Sequence, residues 1–159
     1  PPDTREFVER LWRGTYPSTM KKGLAFDLRF IDWDTSQPIE ACQRQIQSLE
    51  AVHDPDAQPH SLRIRGPGYT LAVSGDTGWQ NALGELSDDV DVFICEATNL
   101  TTGYWGHLSI EEHRKYRAQL NPKRLILSHL SHSARMSALA LADDYNWIVA
   151  HDGLRLDLT

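Results

Sequence analysis

Cysteine is nearly absent from this chain of 159 residues: Cys42 and Cys95 are the full complement. Two thiols do not make a disulfide framework, so a reducing, cytoplasmic setting is the default expectation. Long apolar runs are missing as well. None approaches the ~20 residues needed to cross a bilayer, which argues against a membrane partner. Positive charge is not in excess, with 16 Lys+Arg against 22 Asp+Glu and a net charge of −6. That balance argues against a chain built mainly to grip nucleic acid. No signal peptide is visible, and the chain starts without methionine. Repeats, linkers and low-complexity tracts are also lacking. What remains is ordinary: 40% hydrophobic and 24% charged residues, enough for a real core and for a single domain over 1–159.

The stretch with the clearest message runs from Tyr69 to Gly78. Five strand-forming residues lead straight into Ser74-Gly75-Asp76-Thr77-Gly78, and Trp79, Leu83 and Leu86 then recur with helical spacing. An acidic side chain therefore stands at the mouth of a buried strand, on a turn tightened by two glycines. A carboxylate there is costly to bury unless something positive meets it, and a divalent cation suits its hard oxygens. The competing reading is a carboxylate that caps the following helix.

Elsewhere the pattern alternates strands and helices. Asp3 and Glu6 have capping-box spacing, and Phe7 with Leu11 continues a helix over 3–13. Leu24, Phe26, Leu28 and Phe30 alternate like a strand. Residues 39–52 have helical propensity, but their context favours a strand ending near His53. Gly66-Pro67-Gly68 joins strands 61–65 and 69–73 as a hairpin. A helix over 79–87, a strand from Val90 to Cys95 and a polar loop over 99–107 follow. Ser109 and Glu112 open a helix that stops at Asn121-Pro122. A strand from Arg124 to Ser128, a helix over 133–145 and short strands at 147–150 and 154–158 complete the chain. The fold class is α/β, and Asp76, Glu96, His107 and His129 all fall just past strand ends, where such folds build their sites.

His129 follows a buried strand and can bind metal through a neutral ring nitrogen, or simply hydrogen-bond to nearby backbone. His107, between Gly106 and Leu108, can act as general acid or base with Glu96 holding its ring in one tautomer. It can equally be a loop histidine beside a solvated carboxylate. His113 is expected to be partly exposed on its helix, and His132 to be a surface or cap residue. His53, His60 and His151 lie in turns that can face a cleft, with nothing to single them out. Cys95 is expected in the core. The tryptophans are mainly packing residues, with Trp105 beside His107 the one placed for substrate contact.

Four short motifs taken in order carry a resemblance: Ser-Gly-Asp-Thr-Gly around Asp76, Cys95-Glu96-Ala97-Thr98, Gly106-His107-Leu108-Ser109 and Ser128-His129-Leu130-Ser131. Together they resemble the metallo-β-lactamase superfamily, in particular the branch with ribonuclease Z and related phosphodiesterases. Ala150-His151-Asp152-Gly153 is similar to a turn near the end of such domains. The resemblance runs from about residue 50 to the end and implies half of an αββα sandwich, with mixed sheets flanked by helices. It implies that Asp76 bridges two divalent ions, most often zinc, with manganese or iron as options. It implies that His129 completes the second ion's ligands. It also implies that His107 is the proton donor to the leaving group and that Glu96 orients it. The reaction implied is hydrolysis of a phosphodiester, or of another ester or amide in a small molecule, by metal-activated water.

The chain departs from the family in several places. The His-x-His-x-Asp-His motif that supplies most family ligands is absent, as is the further histidine ligand that follows it. The resemblance then implies a C-terminal half, with the N-terminal half missing or supplied by a partner chain. Cys95 stands where ribonuclease Z has histidine, Leu108 replaces a small polar residue, and no long basic arm for tRNA is present. Two ligands fall short of the usual four for zinc. The chain alone is therefore expected to bind metal weakly, to be inactive and to expose an apolar face through which it can form a homodimer. The rival reading from another class is a non-catalytic scaffold or binding module that keeps the fold.

Overall fold

The structure is a computed structural model that describes residues 3–158, apart from the side chain of residue 20. The chain divides into two compact units, residues 1–34 and 35–159. The first holds helices α1 (Thr4–Thr15) and α2 (Pro17–Lys22) and an irregular segment over 23–34. Helix α1 is laced by Glu6–Arg10 and Glu9–Arg13 ion pairs one turn apart. The capping box read at Asp3 does not form, because the Asp3 side chain makes no capping hydrogen bond. Nor is there a strand at Leu24–Phe30: Phe26 and Leu28 are exposed, and the segment joins no ladder. Alternation makes a strand only where a neighbour takes up the backbone hydrogen bonds and a surface covers the apolar side.

The second unit is one seven-stranded sheet in sequential order. Its strands are β1 (Ile39–Ala41), β2 (Arg44–Glu50), β3 (His60–Gly66), β4 (Tyr69–Val73), β5 (Val92–Glu96), β6 (Leu125–Ser128) and β7 (Trp147–Val149). Strands β1 to β4 pair antiparallel, and β4 to β7 pair parallel. Parallel neighbours need crossovers. These contain α3 (Ala82–Ser87), then α4 (Ile110–Tyr116), then the pair α5 (His132–Ala140) and α6 (Ala142–Tyr145). Because β4, β5, β6 and β7 all point one way, their C-terminal ends form a single edge. Asp76, Glu96, His129 and His151 follow or end those four strands.

Register explains the core. Phe93, Leu125 and Trp147 lie side by side on neighbouring strands, and Cys95, Leu127 and Val149 form the next row. Both rows pack against Leu83, Leu86, Ile110, Ala134 and Ala138 from the helices. A fully buried Leu or Phe contributes about 1.5–3 kcal/mol relative to exposure, so these rows dominate the unit's stability. Burial also pushes the Cys95 thiol well above its ordinary pKa, which makes it an inert core residue as expected. The opposite sheet face is apolar too: Leu62, Val73, Ile94, Ile126 and Ile148 lie in one row across five strands.

Two further expectations need correction. Residues 154–158 form no strand; the segment is held instead by the Arg124 guanidinium, which donates to the Asp157 carbonyl at 2.8 Å. His113 is fully buried rather than partly exposed. It shares the inward face of α4 with Ile110, three residues earlier. Among the described residues, no helix is long and apolar enough to cross a membrane.

Candidate metal and acid–base site

Asp76, Glu96, His107 and His129 come together at the parallel edge, with one ligand atom from each lying within 4.8 Å of the others. Asp76, Glu96 and His129 arrive from the ends of β4, β5 and β6, and His107 from the loop that follows β5; the local sequence explains how. Gly75 adopts φ +60°, which turns the chain sharply after β4 and leaves Asp76 half exposed. His129 sits at φ +56°, a left-handed conformation that a non-glycine residue takes at some cost. This kink between β6 and α5 aims the ring back at the edge. His129 Nδ1 lies 3.3 Å from Asp76 Oδ1.

Glu96 is 3% exposed at the end of β5. A buried carboxylate has to be satisfied, and four contacts do so. The amide of Thr77 donates to Oε1 at 2.8 Å. The amide and hydroxyl of Thr98 donate to Oε2 at 3.1 and 2.7 Å. His107 Nδ1 lies 2.7 Å from Oε1. Both carboxylate oxygens are thereby occupied, and the His107 ring presents Nε2 away from Glu96. The Glu96 amide donates in turn to Ser74 Oγ at 2.9 Å, which ties β5 to the turn that carries Asp76.

The loop over 99–107 is fixed at both ends. Asn99 bridges to the start of α4, where Ser109 and Glu112 form the expected capping box. Trp105 presses its carbonyl onto Gly78, where a Cβ would fall 1.9 Å from the oxygen. Its side chain is exposed, with its ring 6.0 Å from that of Tyr104 between centroids. Tyr104 stacks on His107 with centroids 5.5 Å apart, and His53 meets the same ring edge-on at 4.9 Å. Beyond His129 a cleft of about 540 Å³ is lined by Arg135, His151 and Asp152 among others.

Three neighbours of the site escaped the sequence reading. His53 and Thr98 are in contact with site residues, and His113 supports Glu96 from below, its Nε2 2.8 Å from the Glu96 carbonyl oxygen. Thr98 had a signal, since it stands two residues past Glu96 at the same strand end. His113 had one as well, in its spacing from Ile110. His53 had none beyond following a strand.

The donor chemistry can be tested against a divalent ion. Asp76 and His129 offer oxygen and nitrogen from side chains that are about half exposed, and such a pair fits zinc or manganese. Glu96 and His107 are engaged with each other, which suits proton handling more than ligation. The residues therefore fit the ion as part of a ligand set.

A family model described as a beta-lactamase superfamily domain matches residues 4–130. The chain belongs to the metallo-β-lactamase superfamily. An uncharacterized protein of Mycobacterium leprae (strain TN) is 33% identical over 115 residues, covering 66% of this chain and 37% of that protein. The chain thus spans little more than a third of that relative's length. Among solved structures, the metallo-beta-lactamase fold protein YhfI from Bacillus subtilis superposes with a TM-score of 0.68 at 20% identity, over 89% of this chain and 60% of that one. A diphosphatase from the PhnP family gives a TM-score of 0.63 at 16% identity, over 93% of this chain and 54% of that one. These likenesses establish a metallo-β-lactamase fold, in which the mixed sheet flanked by helices is the part seen here.

Proposed function

We propose that this chain supplies the acid–base pair and two metal donors of a metal-dependent hydrolase that acts on phosphodiesters. The observation that carries the reading is the 2.7 Å contact between His107 and buried Glu96, set within 4.8 Å of Asp76 and His129. Asp76 and His129 hold the cation. When bound, divalent ions make water more acidic and offset negative charge that builds on oxygen. Glu96, fixed by the Thr77 and Thr98 amides, holds His107 with Nδ1 inward. His107, protonated on both ring nitrogens and paired with the Glu96 carboxylate, then gives its Nε2 proton to the departing oxygen and is left neutral with Nδ1–H on Glu96. A diphosphatase of the PhnP family shares the fold, which is compatible with a phosphate ester as substrate.

Two donors do not complete a zinc shell. The remaining ligands come from further polypeptide, in the same chain or in a partner, that packs on the partly open apolar sheet face carrying Val73, Ile94 and Ile148. The chain by itself binds metal weakly and does not turn over. The test is hydrolysis of bis-p-nitrophenyl phosphate by the complete protein with zinc or manganese added. His107→Ala is expected to lower kcat by ~10²–10⁴ with metal content retained. Full activity in that variant contradicts the role given to His107.

A further inference from the structure

Thr98 stands between the two halves of the site. Its Oγ1 lies 2.7 Å from Glu96 Oε2 and 2.9 Å from His129 Nδ1. A longer contact of 3.4 Å reaches His107 Nδ1. A hydroxyl has one proton to give and two lone pairs to accept with, whereas a carboxylate only accepts. The Thr98 proton therefore goes to Glu96. That leaves a single sense for the second contact: His129 Nδ1–H donates to Thr98 Oγ1. With its proton on Nδ1, the neutral ring keeps a lone pair on Nε2.

From this ordering of donors we infer that Thr98 is a positioning residue that fixes His129 as the Nδ1–H tautomer and so makes Nε2 its metal-binding atom. The inference rests on the metal reading above. A ligand nitrogen must be unprotonated, and the hydrogen bond made by the other nitrogen decides which one that is. The backbone serves the same end. The Ala97 amide donates to the Ser128 carbonyl at 2.9 Å, and the Ser131 amide to the Thr98 carbonyl at 3.1 Å. These bonds clasp the two strand ends and bring the Thr98 hydroxyl to the kinked His129. One buried carboxylate then governs both histidines, His107 directly and His129 through Thr98. Proton handling and metal holding share a single anchor.

Thr98→Val keeps the side-chain shape and both backbone bonds and removes only the hydroxyl; Thr98→Ser restores it. Long-range 1H–15N spectra of labelled protein report the tautomer of each histidine. The expected result is Nδ1–H for His129 in the unsubstituted protein and in Thr98→Ser, and loss of that preference in Thr98→Val. Zinc affinity, read by competition with a chromophoric chelator, is expected to fall about tenfold or more in Thr98→Val and to recover in Thr98→Ser. Far-UV circular dichroism checks that all three are equally folded. A His129 that stays Nδ1–H in Thr98→Val, or is Nε2–H at the outset, overturns the inference. If the tautomers behave as expected and the complete protein takes up no zinc, the metal reading falls. The metal-facing part of this inference falls with it, and the donor assignment stands.

Discussion

His113 Nε2 meets the backbone carbonyl of Glu96 at 2.8 Å from beneath the sheet edge. A carbonyl only accepts, so that nitrogen carries the proton and Nδ1 is left buried without a partner. Burial holds the His113 pKa below its ordinary value of 6.5. The folded protein then binds fewer protons than the unfolded chain at acidic pH, so stability rises with pH there. It is full above about 6.5 and is lost as pH falls below it, by up to about 1.4 kcal/mol per pH unit for one proton. Urea unfolding from pH 7.5 to 5 is expected to show a shallower slope for His113→Phe than for the unsubstituted protein. Identical slopes contradict this account of His113.

Gly78 makes a second close approach. With the Trp105 carbonyl where a Cβ would be, Gly78→Ala must displace the loop that presents His107. A cost of about 1–3 kcal/mol is expected, as for overpacking in a core. The midpoint of urea unfolding measures it. A change below the scatter of the measurement shows that the loop gives way freely.

Ser109 caps the helix that begins three residues after His107. Its hydroxyl accepts from the Glu112 amide at 3.1 Å, and the Glu112 carboxylate accepts from the Ser109 amide at 2.9 Å. Ser109→Ala is expected to cost about 1 kcal/mol in thermal or urea unfolding. The hydroxyl also donates to the Glu112 carboxylate at 2.7 Å, so Ser109→Thr, which keeps it, is expected to lose less than Ser109→Ala. The reverse order contradicts a capping role.

Glu96→Gln tests the anchor of the acid–base pair. The amide keeps the size of the side chain but replaces one acceptor oxygen with a donor, which opposes either the His107 Nδ1–H and the Thr77 amide or the Thr98 amide and hydroxyl. The complete protein is expected to lose kcat more than it changes KM, because the group acts on the proton-transfer step. A change in KM alone points to substrate binding.

Much of this edge was legible in the chain. Asp76, Glu96 and His129 each follow or end a run of strand-forming residues, and sheet geometry brings parallel strand ends together whatever the loops do. The box at Ser109 was readable because both partners sit in one turn of helix. Three of the failures have one cause: each concerned a partner far along the sequence. Leu24–Phe30 alternates well but finds no ladder. Thr98 acquires its role from His129, 31 residues on. His113 has a polar side chain whose burial depends on the Glu96 carbonyl lying above it. Local periodicity reports a face, and does not report what will cover it.

The central claim is that Asp76 and His129 hold a divalent ion beside the Glu96–His107 pair, and metal content tests it most directly. Zinc and manganese are measured by elemental analysis in the complete protein and in Asp76→Ala and His129→Ala, each checked for folding. The account expects bound metal in the first and a substoichiometric remainder in both variants. Equal metal in all three proteins contradicts it.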